Sequence, residues 1–136
     1  MKGQIAAEFF VTLGVVLLFT IPVVLLLFSI SQLGYEDSTL AQADAAARSL
    51  AETLNLVYAQ GGGASRIILL STPPNTESIN IGNKEVTISI KTSKGFYTAS
   101  APVFASIDQQ KVIKRSGLFQ LLVYNKDGKV SVTEVS

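Results

Sequence analysis

The chain has 136 residues with a formal net charge of +1, 48% hydrophobic residues, and neither cysteine nor histidine. That length holds one compact domain and an anchor at most. The missing residue types exclude disulfides, thiolate zinc sites, cysteine nucleophiles and histidine general bases. Charge is unevenly distributed: residues 1–60 carry two basic side chains against five acidic ones, while residues 61–136 carry nine against five. This asymmetry is too mild for a nucleic-acid signature, and no nucleic-acid partner is expected.

Met1-Lys2-Gly3 forms a short basic head. The segment Gln4–Ile30 is apolar apart from Glu8, and its stretch Phe9–Ile30 contains no charge. As a helix that stretch spans about 33 Å, enough to cross the hydrocarbon core of a bilayer. Ser31–Thr39 is polar and contains Gly34, so a bend or frayed turn is expected where the helix leaves the apolar region. Leu40, Ala43, Ala47, Leu50, Leu54 and Val57 then recur at spacings of three and four and define one apolar helix face. Asp44–Arg48 and Arg48–Glu52 are i,i+4 pairs assigned to the opposite side. Alanine is dense from Ala41 to Ala51, which favours helix and permits close packing. The pattern predicts a helix from about Gln4 to about Gln60, roughly 85 Å long if straight, with a weak point near Gly34.

Gly61-Gly62-Gly63 ends the helix. It follows a helix and lacks the lysine of a phosphate-binding loop. The remainder reads as β. Arg66–Ser71 is a short apolar strand, and Thr72-Pro73-Pro74-Asn75 a turn. Ser78–Ile81 and Lys84–Lys91 flank Gly82-Asn83, which suits a two-residue type II′ hairpin. Phe96–Ile107 is expected as a strand pair, or one strand bent around Pro102. Leu118–Tyr124 and Lys129–Val135 flank a second hairpin signal, Asn125–Gly128. Leu118–Tyr124 is apolar on both faces and predicts a central strand covered on both sides, one cover being the Leu40–Val57 helix face. The expected fold is therefore α+β: a long N-terminal helix followed by a small antiparallel β-domain packed on the helix's C-terminal half.

The apolar segment admits three readings. A cleaved secretory signal normally has an apolar core of about 7–15 residues followed closely by a small-residue cleavage site. Here the core is longer, and the nearest Ala-x-Ala, Ala41-Gln42-Ala43, lies far downstream. A plain signal anchor fits the orientation: Lys2 precedes the span and Glu36/Asp37 follow it, which places the N-terminus in the cytoplasm and the β-domain outside. It leaves Glu8 unexplained, because a carboxylate near an apolar span is costly to insert. The third reading rests on Lys2-Gly3-Gln4-Ile5-Ala6-Ala7-Glu8 running directly into the apolar segment. This resembles archaeal type IV pilins with class III signal peptides, which have a basic residue and glycine before the cut, glutamine after it, and glutamate four residues further on. Ala6 matches the family's small residue, while its common leucine is replaced by Thr12, with Leu13 beside it. Ala51–Gly63, the strand and proline that follow, and the run from Ser116 to Val130 are similar to the passage from stem to β-domain in such proteins.

The resemblance implies three segments: a leader at residues 1–3, a stem helix at 4–60 and an extracellular β-domain at 61–136. It implies cleavage between Gly3 and Gln4 by a class III prepilin peptidase, insertion in the cell membrane before assembly, and extraction into an extracellular filament of identical or related subunits by an assembly ATPase and a membrane platform protein. In that setting Glu8 either pairs with the new α-amino group on Gln4 and sets the filament register, or serves only as a recognition residue or helix-end charge. Cyclisation of an N-terminal glutamine would remove that amine. Gly14 and Pro22 inside the span, with Gly34 beyond it, are candidate points of helix flexibility, or simply tolerated as in any membrane helix.

No paired carboxylates, nucleophile constellation or phosphate loop is visible in the sequence, so neither an enzyme nor a cofactor is expected. Lys111, Lys114 and Arg115 form the one basic cluster, read as a solvated face or a contact for anionic surfaces. Phe96-Tyr97 and Phe104 are expected in the core or in a subunit interface. A single-pass surface protein that never polymerises is the alternative to the filament subunit.

Overall fold

The computed structural model describes residues 2–135. Among these residues a single helix, α1, runs from Lys2 to Gln60, and seven strands follow: β1 (Ser65–Thr72), β2 (Thr76–Ile81), β3 (Glu85–Thr92), β4 (Gly95–Pro102), β5 (Lys111–Ile113), β6 (Gly117–Lys126) and β7 (Lys129–Val135). The chain divides into two units, Met1–Asp37 and Ser38–Ser136.

The described part of the first unit is helix alone. Its side chains from Ile5 to Leu33 are exposed. α1 continues through Gly14, Pro22 and Gly34 without a break. The polar stretch around Gly34, expected to bend or fray, stays helical.

The second unit contains residues 38–60 of α1 and both sheets. Its sheets are antiparallel, ordered β1-β6-β7 and β4-β3-β2-β5. Helix and sheets share one core. Ala43, Ala47, Leu50, Leu54 and Val57 are buried in it, and Leu40 packs at its margin. Leu70 of β1, Ile79 and Ile81 of β2, Val86, Ile88 and Ile90 of β3, and Leu121 and Val123 of β6 meet them there. Leu50, Leu54 and Val57 are fully buried and fill the space between the helix and the sheets.

The antiparallel β-domain expected after the helix is present, as two sheets. Several local details differ from expectation. A short strand, β5, forms at Lys111–Ile113, where no strand is expected, and pairs with Ile79–Ile81. β6 is central, as its apolar run predicts, but only one face is closed: Phe119, Leu121 and Val123 are buried while Leu118 is 66% exposed. The segment after Pro102 leaves its sheet, Ile107 makes a parallel bridge to Val130 of β7 in the other sheet, and β5 then rejoins the first sheet beside β2. Phe96 and Phe104 lie outside the core, 68% and 80% exposed. Asp44 does not face bulk solvent with Arg48; the Tyr97 hydroxyl lies 3.4 Å from its Oδ1.

The two hairpins differ. Asp127 and Gly128 both take positive φ, 55° and 85°, the signature of a type I′ turn. Gly82 and Asn83 do not, so the expected II′ turn is absent. That hairpin turns instead on Asn83-Lys84, with the Gly82 N–H donating to the Glu85 carbonyl at 3.1 Å. Long-range bonds explain the change: Asn83 Oδ1 accepts the Ile107 N–H at 3.0 Å, and the Lys84 carbonyl accepts the Val103 N–H at 2.8 Å.

Candidate functional site: the apolar stem

The residues singled out in the first unit all lie on α1. Gly3, Gln4 and Glu8 occupy its first turns, Gly14 and Pro22 its apolar length, and Gly34 the polar exit. All six are exposed within the chain. Gln4 and Glu8 stand one turn apart, so their side chains project from the same face. A methyl group added at Gly3, Gly14 or Gly34 would meet nothing within 4 Å, so none of these glycines is required by packing inside the chain. Pro22 has no N–H to donate back to the Leu18 carbonyl. The Ser29 hydroxyl donates to the Leu25 carbonyl at 3.0 Å, which satisfies a hydroxyl on an otherwise apolar stretch.

The apolar surface of this segment is extensive. Phe9, Phe10, Leu18, Phe19 and Phe28 are each 63–70% exposed, and the rings of Phe9 and Phe10 meet edge to face at 5.9 Å. Burying one such side chain is worth about 1.5–3 kcal/mol. A continuous run of them has no stable arrangement in water, so it requires lipid or other protein around it. α1 is the one described helix long and apolar enough to cross a membrane, and none of its most apolar window is buried within the chain.

Among the described residues, no group of His, Cys, Asp or Glu is placed to hold a metal ion. Clefts on the second unit are open to solvent. One of about 390 Å³ lies over the β2–β3 turn, lined by Asn80, Asn83, Lys84 and Gln110. The basic cluster is dispersed by its own contacts: Lys111 Nζ donates to the Val132 carbonyl at 3.0 Å, and the Arg115 guanidinium lies 5.1 Å from the centroid of the Phe119 ring. Sequence reasoning missed the role of Asn55. Its Oδ1 accepts the N–H groups of Phe104 and Ala105 at 2.7 and 3.1 Å, holding the chain after β4 against the helix. A lone asparagine among helix formers was the only signal for it.

No protein-family model matches the chain, and neither a curated protein nor a solved structure matches it.

Proposed function

We propose that this chain is a structural subunit of an extracellular, archaeal type IV pilus-like filament that serves surface attachment. The observation that carries the reading is the unbroken helix Lys2–Gln60, whose apolar N-terminal part has no partner within its own chain and whose C-terminal part forms the core of a β-rich unit. This helical rod lies in the membrane first, with the N-terminus cytoplasmic and the β-unit outside. A class III prepilin peptidase cuts between Gly3 and Gln4. An assembly ATPase and a platform protein then move the rod from lipid into a bundle of like rods. Transfer from lipid to protein gains little from the hydrophobic effect, so packing and polar pairing supply specificity. Glu8 is the charged side chain of the Gln4–Ile30 segment, and the α-amino group of Gln4 is its counter-charge.

N-terminal sequencing of the native protein, with negative-stain microscopy of cells carrying Glu8→Gln, tests this. A mature chain beginning at Gln4, and loss of filaments despite normal membrane insertion of the variant, are expected. A retained Met1 on surface-exposed protein, with no filaments from the unaltered chain, supports the other reading: a single-pass anchored surface protein that does not polymerise.

A further inference from the structure

A cleft of about 410 Å³ at the β7 edge combines a fixed backbone with uncommitted polar side chains. It lies between the segment 108–111 and strands β6 and β7. The segment is pinned at both ends. The Asp108 N–H donates to the Val130 carbonyl at 3.0 Å, and the Ile107 N–H to Asn83 Oδ1 at 3.0 Å. Lys111 enters β5 opposite Ile81, and its Nζ is held on the Val132 carbonyl at 3.0 Å. Residues 109 and 110 therefore bridge the two sheets on a backbone that needs little further ordering to bind.

Tyr124 of β6 lines this cleft and is half-buried. Its neighbours Val123 and Asn125 are buried, so strand alternation turns the Tyr124 ring to the outer face of the sheet. Its cross-strand partners are Ser65 and Ser131, both small, so no bulky side chain stands directly opposite the ring. Asp108, Gln109, Gln110, Ser131 and Thr133 add a carboxylate, two amides and two hydroxyls to the lining. None of these side chains, nor the Tyr124 hydroxyl, makes a hydrogen bond or ion pair with another described residue.

We propose that this cleft binds a neutral carbohydrate, one sugar ring lying on Tyr124 with its hydroxyls bonded to Asp108 and the two glutamines. The chemistry of the lining selects that class. Asp108 and Lys111 cancel in charge, and Lys111 is already committed to Val132, so an anionic polymer finds no net positive surface. The lining is mainly polar, so an apolar ligand finds no matching wall. Addition of a peptide strand to β7 is opposed, because the Val130 N–H and C=O and the Val132 C=O are taken by Ser106, Asp108 and Lys111. A sugar uses what remains: paired donors and acceptors for its hydroxyls, and an amphipathic ring for its C–H face. The adjoining cleft over the β2–β3 turn shares Gln110 and Lys111 and adds Asn80 and Asn83, so a chain of sugars has room to extend into it.

This inference rests on the attachment role proposed above and names the class of ligand. The full-length chain in lipid nanodiscs is tested against immobilised oligomers of mannose, galactose, glucose and N-acetylglucosamine, with polygalacturonate as the anionic counterpart. Retention on at least one neutral oligomer, displaced by the same oligomer free in solution, is expected. Retention on none of them, or on polygalacturonate alone, overturns the proposal. Tyr124→Leu and Asp108→Ala are expected to weaken that binding at least about tenfold, while Tyr124→Phe, which keeps the ring, stays within about threefold. Binding unchanged in both loss variants overturns the site. Amide exchange at Gly128 checks that each variant keeps the β6–β7 hairpin, and Gln109→Ala, on the exposed bridge, carries the same test should a β6 variant unfold. Filaments on cells without oligosaccharide binding sink this site and leave the filament reading standing. Binding that Tyr124→Leu abolishes, in a chain that forms no filaments, sinks that reading and leaves the site.

Discussion

The side-chain amide of Asn125 donates to the carbonyl oxygen of Val57 at 3.3 Å, joining strand β6 to the last turn of α1. The same Nδ2 lies 3.4 Å from the Tyr58 carbonyl, and Oδ1 accepts the Gly128 N–H at 3.0 Å. The Asn125 backbone accepts from Gly63 and donates to Ala64. A helix end leaves its last carbonyls without partners, and the final turn of α1 has no basic residue to serve them. One buried residue therefore caps the stem, fixes the glycine linker and closes the β6–β7 turn.

Asn125→Ala removes all three side-chain bonds and takes away the amide partner of the Val57 carbonyl and the acceptor of the Gly128 N–H, while the Tyr58 carbonyl keeps the Gly61 N–H. A loss of about 1–3 kcal/mol is expected in denaturant unfolding of the detergent-solubilised chain, followed by tyrosine fluorescence. Asn125→Asp keeps the acceptor for Gly128 but turns a negative group toward the negative end of the helix, so it is expected to be at least as damaging as alanine. An aspartate variant as stable as the native chain refutes the capping role.

Asn55→Ala and Asn55→Asp separate in the opposite sense. Aspartate retains the oxygen that accepts from Phe104 and Ala105, and a charged acceptor strengthens such bonds. Hydrogen exchange at those two amides is expected to rise sharply in the alanine variant and to stay near the native rate in the aspartate variant.

The two hairpins predict different responses to Gly→Ala. Gly128 has φ 85°, so Gly128→Ala is strained and expected to cost about 1 kcal/mol. Gly82 has no positive φ, and an added methyl would lie 3.7 Å from the Glu85 carbonyl oxygen, an ordinary contact. Gly82→Ala is expected to change unfolding free energy by no more than about 0.5 kcal/mol. Equal losses at both positions contradict the turn geometry described here.

Leu54 and Leu25 lie on the same helix in different surroundings. Leu54 is fully buried and Leu25 is 62% exposed. Leu54→Ala is expected to destabilise the β-rich unit by about 2–5 kcal/mol. Leu25→Ala leaves its unfolding curve in detergent unchanged, while Leu25→Lys reduces retention in the membrane fraction. Fractionation and unfolding of the same three variants check this.

Much of the fold was legible in the chain because two periodicities dominate it. Spacings of three and four from Leu40 to Val57 pick out a face of which five of the six residues are buried. Alternation of Val86, Ile88 and Ile90 gives the inner face of β3. Asp127-Gly128 carries the backbone freedom its turn requires. The apolar stem was legible too, since it depends on length and composition and on no long-range contact.

The sequence by itself determined the long helix, its apolar length, the amphipathic face that follows and the β character of the rest, because each arises from residues close together in the chain. Only the tertiary structure decided that the strands split into two sheets, that β5 forms, that Asn83-Lys84 and not Gly82-Asn83 makes the first turn, and that Phe104 points outward. Those outcomes depend on bonds between distant residues, Asn55 with Phe104, Asn83 with Ile107, and Asn125 with Val57, whose combined free energy outweighs the weak local preferences of the segments they join.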